Sequence, residues 1–328
     1  MQHLEHPERI RNSAKTLQGR EFDKGIESRG KTGTDPKTAD RVAFLSARNR
    51  RRVNLPTSSS GGEGGLRTMN QSPISDQAKA GPSQSINALE AAWRDFHGPS
   101  YLRHNSRRLE HLASLSLDLL GRSVLELGAG IGDHTTYFLD HGCSVTSVEP
   151  RTENCQLYAA MMQRRQAEGY EAVSHCRIVR ADALTFESIV SESFDIVHCY
   201  GLLYHTDDPE AVLSAMARKC RQFLLLETCV SYGSEEAINR VPENAEIPSQ
   251  SVSGGGCRPT RPWLFKQLSF LFPHVYVPFT QPAHEEFPLD WNATPIPGRE
   301  ARAVFIASRQ TLHNPFLLDY LPERQKTC

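Results

Sequence analysis

Val124-Leu125-Glu126-Leu127-Gly128-Ala129-Gly130-Ile131-Gly132 joins an apolar run, one carboxylate and three alternating glycines. An apolar strand ending in such a turn lets the backbone come close to a ligand, and a following helix aims its free N–H groups at it. The spacing is G-x-G-x-G, whereas the dinucleotide fingerprint is G-x-G-x-x-G. Glu126 sits two positions before the first glycine. A carboxylate there repels a pyrophosphate and attracts an ammonium, so the turn fits a cationic nucleoside bearing an amino acid better than NAD.

Other chemistry-bearing residues fall where that ligand needs them. Residues 144–149, SVTSVE, read as a second strand ending in Glu149. It lies about 20 residues beyond the glycines, the usual distance for a carboxylate that takes ribose hydroxyls. Residues 176–183, CRIVRADA, read as a third strand ending at Asp182, which would accept from an exocyclic amine of adenine. Residues 194–205, FDIVHCYGLLYH, read as a fourth strand running into a loop that carries Tyr204 and His205. A histidine titrates near neutrality and suits proton removal from a hydroxyl. The plain alternative is that His205 only hydrogen-bonds within the loop.

With these four pieces the chain resembles the class I, Rossmann-like S-adenosylmethionine-dependent methyltransferases, closely over residues 100–230 and loosely over two thirds of its length. The resemblance implies that Glu126 and the turn of Gly128, Ala129, Gly130 and Gly132 hold the methionine moiety. It further implies that Glu149 takes the ribose, that Asp182 and Ala183 border adenine, and that Cys199, Tyr200 and Gly201 line the edge beneath the methionine. The fold it implies is α/β: a seven-stranded, mostly parallel sheet in the order 3-2-1-4-5-7-6, with helices on both faces and one strand antiparallel.

The positioning elements are legible in the patterning. INALEAAWRDF from Ile86 has helical spacing, Gly98-Pro99 breaks it, and YLRHNSRRLEHLASLSLDLL resumes it. Over 86–120 this forms a helical cover at the cofactor mouth, with Tyr101, His104 and Asn105 as contact candidates. Residues 133–141 read as a helix capped by Asp133 and stopped by Gly142; 152–168 as an amphipathic helix; 209–220 as a helix capped by Asp207 or Asp208. RQFLLLETC is an apolar strand of the kind a sheet buries on both faces. Residues 259–272 read as a helix, and 274–279 and 301–308 as the last strand pair. The stretch 229–300 is long and polar, which marks it as the substrate side. Gly254-Gly255-Gly256 suits a mobile lid. Arg258 and Arg261 would hold an acidic acceptor, while His284, Glu285, Asp290 and Trp291 would wall a pocket. Cys257 has no base partner in the sequence and is not read as a nucleophile.

Composition narrows the class. Of 328 residues, 38% are hydrophobic and mean hydropathy is −0.47. Those values are low for a chain folded throughout. Residues 1–84 hold 15 basic and 9 acidic residues, net +6, which leaves 22 basic and 29 acidic, net −7, for 85–328. The first segment, with TSSSGGEGG at 57–65 and few aromatics, reads as a disordered basic tail. Met69 is an alternative start, and Arg48-Asn49-Arg50-Arg51-Arg52 is a candidate nucleic-acid patch or simply a solvated run. No apolar run approaches a membrane span, and no secretory leader is visible. Eight cysteines without a metal-like spacing fit reduced thiols in the cytoplasm.

The expected function is transfer of a methyl group from S-adenosylmethionine to oxygen or nitrogen of a small-molecule acceptor, with no metal. The GLLYHTDDP loop also resembles transferases that modify tRNA wobble uridine, but the acidic domain disfavours nucleic acid. A catalytically silent partner-binding protein of the same fold is the third reading.

Overall fold

The computed structural model describes residues 82–328, with side chains from residue 87. The expected tail, Met69 and the Arg48–Arg52 run lie outside the described residues, save that the tail's last three positions already belong to the first helix.

In chain order the elements are α1 (Pro82–Phe96), α2 (Pro99–Ser114), β1 (Ser123–Leu127), α3 (Thr135–Asp140), β2 (Ser144–Glu149), α4 (Thr152–Ala167), β3 (Cys176–Arg180) and β4 (Phe194–Tyr200). A short 3-10 turn, Leu203–His205, leads to α5 (Pro209–Lys219) and β5 (Cys220–Val230). Then come β6 (Ile238–Pro242), β7 (Gly255–Pro259), α6 (Arg261–Leu271), β8 (His274–Pro278), β9 (Thr280–Gln281), β10 (Ala301–Ser308), β11 (Leu317–Leu318) and β12 (Lys326–Thr327).

Eight strands make the main sheet, in the order β11-β8-β10-β5-β4-β1-β2-β3. The expected order is present, with the two-residue β11 added at one edge as an eighth strand. Strands β1 to β5 pair in parallel, and β10 runs antiparallel to both β5 and β8. Side chains alternate between two cores, as a pleated strand requires. On β5, Leu224 and Leu226 join the core under α5 and α6, while Phe223 and Leu225 join the one under α2 and α3. Both faces are covered, so β4, β5 and β10 are almost wholly buried. Truncating a leucine there, as in Leu225→Ala, costs about 2–5 kcal/mol.

Strand order reverses between β1 and β4, because β1 is followed by β2 on one side and flanked by β4 on the other. In open α/β sheets the ligand crevice lies outside the carboxyl ends of the strands at that reversal. Leu127, Glu149 and Tyr200 are the last residues of β1, β2 and β4.

Several expected boundaries move. Helix α3 starts at Thr135 with His134, not Asp133, at its N-cap. Strand β3 ends at Arg180, and Asp182 lies in the turn beyond, where it accepts from the Leu184 N–H at 2.8 Å. Asp208, rather than Asp207, caps α5 by accepting from Ala211 N at 3.0 Å. Gly255 and Gly256 belong to β7, which pairs with β6 in a separate hairpin.

Candidate active site

A cavity of about 250 Å³ opens at the strand reversal. One end is walled by Gly128, Gly130, Glu149, Asn154, Asp182 and Ala183, the other by Tyr101, His104, Arg108, Tyr204, His205 and Arg302. The first end therefore carries carboxylates and the second carries guanidinium groups.

Glu149 is 5% exposed and accepts three hydrogen bonds, which leaves one acceptor position on Oε2. Its Oε2 accepts from Gly130 N at 3.0 Å; its Oε1 accepts from Arg151 N at 3.0 Å and Asn154 Nδ2 at 3.0 Å. Burial pushes its carboxyl up to about 7 against the pull of these donors. The glycine turn is tight: a Cβ on Gly128 would lie 2.8 Å from Leu202 Cβ, and one on Gly130 2.8 Å from a ring carbon of Phe96. Both residues have positive φ, 71° and 54°, which a side chain makes costly.

Glu126 corrects the expectation for the ammonium. Its carboxylate is not on the cavity wall but beneath the turn, where Thr135 Oγ1 donates at 2.5 Å and Ser147 Oγ at 2.8 Å. At 2% exposure, with burial pushing its carboxyl up to about 7, it ties β1 to α3 and β2. Ala129, Gly132 and Cys199 likewise stand behind the lining.

At the other end, Arg108 of α2 and Arg302 of β10 flank the fully buried Glu227, at 2.7 and 3.2 Å. The carboxylate stands behind them, so the guanidinium groups face the cavity. Arg302 also donates from Nη2 to Tyr204 Oη at 3.2 Å and from Nε to Glu286 at 2.6 Å. The Tyr204 ring lies between two guanidinium carbons, those of Arg258 and Arg302, each 4.9 Å from its centroid. Burial pushes its phenol up to about 12. Tyr200 Oη, Arg108 Nε and His104 Nε2 are buried without a hydrogen-bond partner among the described residues. Their residues line the cavity, but these three atoms are themselves closed off from it, and buried polar groups without a partner are rare.

His205 Nδ1 is hydrogen-bonded to Glu243 Oε2, and Glu243 is itself fixed by Ser251 N at 2.9 Å and Arg258 Nη1 at 3.4 Å. A carboxylate acceptor puts the proton on Nδ1 and leaves the Nε2 lone pair free. Burial, only partly offset by Glu243, holds the imidazole below its ordinary titration range, so it is neutral at pH 7.

Of the expected substrate residues, His104 lines the cavity and the others do not. Arg258 stands behind Tyr204 and pairs with Glu300 at 2.9 Å. Arg261 donates to Pro322 O and stacks on Trp291 at 4.1 Å. His284 lines a second cavity with Glu285 and Asp290, and its ring stacks on His104 at 4.7 Å. Cys257 is buried, its thiol pushed up to about 11 by burial, which agrees with an inert side chain.

Arg108, Glu243 and Arg302 escaped the sequence reading. Arg302 had a visible sign: it is the only charge inside the apolar run ARAVFIAS. Glu243 had none, because 38 residues separate it from His205.

Residues 125–222 match a family model described as a methyltransferase domain. Similar curated proteins include the ubiquinone biosynthesis O-methyltransferase of Xanthomonas oryzae pv. oryzae, 29% identical over 153 residues, which are 45% of this chain and 60% of that one. The protein of the same name from Psychrobacter arcticus is 31% identical over 107 residues, 32% of this chain and 39% of its own. The chain thus spans about 60% or less of these relatives' length. Among solved structures, the N-terminal domain of EvdMO1 with SAH bound is similar at TM-score 0.47 and 23% identity, over 62% of this chain and 80% of that one.

Proposed function

We propose that this protein, whose residues 125–222 match a methyltransferase-domain model, is a class I enzyme that moves the methyl group of S-adenosylmethionine to an oxygen nucleophile of a small molecule, with His205 as the base. The observation that carries the proposal is the His205–Glu243 pair on the wall of the same cavity that Glu149 closes at its far end.

The lining fits the cofactor. Glu149 is an acceptor for ribose hydroxyls, and Asp182 with Ala183 borders the adenine position. Arg108, which lines the cavity, suits the methionine carboxylate. Bound there, S-adenosylmethionine supplies an electrophilic methyl group. The chain supplies alignment and proton removal. Glu243 accepts from Nδ1–H and holds the ring in one tautomer. His205 Nε2 then takes the acceptor's hydroxyl proton, and the resulting imidazolium is stabilised by Glu243. Arg302 faces the acceptor end, where it favours developing negative charge on oxygen. An amine acceptor, cationic at neutral pH, would meet the Arg302 guanidinium group instead. Tyr204, a phenol that stays neutral, positions rather than accepts. The names of the curated relatives point the same way, toward O-methylation. We place the enzyme in the cytoplasm because all eight cysteines are free thiols; no helix among the described residues is long and apolar enough to cross a membrane.

The test is transfer of a labelled methyl group to matched panels of phenols, catechols and primary amines. Label on phenolic oxygen, lost in His205→Ala, is the expected outcome. Label on the amines alone overturns the oxygen assignment.

A further inference from the structure

Residues 243–254 cross the carboxylate end of the cavity as a strap between β6 and β7, and Pro248, Ser249, Gln250, Ser251 and Val252 line it. The strap is held mainly from the turn that carries Glu149. Arg151 Nη2 donates to three strap carbonyls, those of Ala245 at 2.9 Å, Gln250 at 3.0 Å and Ser251 at 3.4 Å. Asn154 Nδ2 donates to Glu149 Oε1 at 3.0 Å and to Pro248 O at 3.2 Å. Two further ties come from elsewhere: Ser249 N donates to Asp95 of α1 at 3.1 Å, and Ser253 Oγ donates to Asp207 at 2.6 Å.

The first residue of the strap is Glu243. Its Oε2 accepts both from Ser251 N within the strap and from His205 Nδ1. One segment thus covers the cofactor end and orients the base at the acceptor end. Asn154 is the joint, since a single amide nitrogen touches both Glu149 and the strap.

Resting on the reading of Glu149 as cofactor ligand and His205 as base, we propose that the strap couples the two: Arg151 and Asn154 are positioning residues that set His205 through Glu243. Cofactor hydroxyls engaging Glu149 hold the carboxylate in the place where Asn154 bridges it to the strap. With the strap down, Ser251 N fixes Glu243, and Glu243 keeps the His205 proton on Nδ1. With the strap released, Glu243 keeps only the longer Arg258 contact at 3.4 Å, and the tautomer preference of His205 weakens. The base is therefore assembled only when the cofactor end is closed, which guards against proton removal from an acceptor that has no methyl donor beside it.

The test follows His205 directly in the full-length protein by nitrogen NMR, with and without S-adenosylhomocysteine, and measures that ligand's affinity by calorimetry. Arg151→Met, which removes the three-carbonyl latch, is expected to mix the His205 tautomers, to lower the imidazole pKa and to weaken S-adenosylhomocysteine several-fold. Arg151→Lys should restore part of each effect. Asn154→Leu provides the second break, at the Glu149 joint. Glu243→Gln separates the premises: it should change the His205 signature while leaving the strap latched and the ligand affinity near wild type. If Glu243→Gln alters His205 but Arg151→Met and Asn154→Leu do not, the coupling is wrong and the base reading stands. If Glu243→Gln leaves His205 unchanged, the base reading itself fails.

Discussion

The two ends of the cavity are built in different ways. The carboxylate end comes from one stretch of chain: the glycine turn, Glu149, Asn154, Asp182 and Ala183 all lie between residues 128 and 183. Each lies at the end of a parallel strand or within five residues beyond it, so the sheet itself sets their spacing. The guanidinium end is gathered from far apart, with Tyr101 and Arg108 from α2, His205 after β4, Glu243 from the strap and Arg302 from β10. Its geometry depends on buried ion pairs and helix packing rather than on strand ends. The contrast teaches that the carboxylate end, the proposed cofactor site, is fixed by local topology, while the guanidinium end, the proposed acceptor site, is free to be rebuilt, which is how one fold serves many functions.

The predictions probe that division from the largest effect downward. Gly128→Val should abolish S-adenosylhomocysteine binding in calorimetry, because the new side chain collides with Leu202 and needs a φ it cannot readily adopt. A melting curve separates this from loss of the fold; wild-type affinity would remove the glycine turn from the site. At the other end, His205→Ala should lower turnover roughly 10²-fold or more while leaving cofactor affinity intact. Full turnover would reduce His205 to a loop residue. An equal loss of affinity would mean that the two ends are not separable in this way.

A pH titration sharpens the comparison further. In the proposed site ribose hydroxyls need the ionised Glu149, whose carboxyl is pushed up to about 7 by burial. Protonation competes with the ligand, so affinity should fall as pH drops through about 7, by at most about tenfold per unit. Glu149→Gln should bind more weakly and lose this dependence, and an unchanged slope would assign the titration to Glu126 instead. Turnover with saturating cofactor should behave differently. Its acid limb should lie below pH 6.5, since burial lowers the His205 pKa.

The smallest expected effect is on stability. His111 and His134 are held down to about 4 and about 3 by burial, and His104 and His198 are depressed by the same cause. The unfolded chain protonates these four near 6.5 while the folded one does not, so stability is lost as pH falls below 6.5. Glu126 and Glu149 oppose this, because in the folded state they take up protons near 7 and in the unfolded state only near 4.5. His205 and His284 are lowered too and Asp133 is raised, so six sites against three leave a net loss, and the melting temperature should drop between pH 6.5 and 5. A rise over that interval would contradict the assignment of neutral buried histidines.

What the sequence made legible follows the same division. The sheet, its order and the carboxylate end could be read because apolar strands, glycine turns and strand-end acids recur at regular intervals along the chain. Glu126 shows the limit of that reading. Its place two residues before Gly128 suggested a ligand, yet period-two alternation on β1 points its carboxylate under the turn, toward Thr135 and Ser147. Asp133 was misread as a cap because it has a capping side chain, while the chain turns helical only after His134. Arg258 and Arg261 looked like substrate cations, but each already satisfies a carboxylate or carbonyl. Glu243 and Arg108 gave no local signal, since their roles come from contacts across long separations that no periodicity encodes.

The most direct test of the account is calorimetric titration of the full-length protein and its Glu149→Ala variant with S-adenosylhomocysteine and with NAD. The account predicts saturable binding of S-adenosylhomocysteine with a dissociation constant on the order of micromolar, a loss of about tenfold or more in Glu149→Ala, and no binding of NAD. Binding of NAD, or S-adenosylhomocysteine affinity indifferent to Glu149, would contradict it.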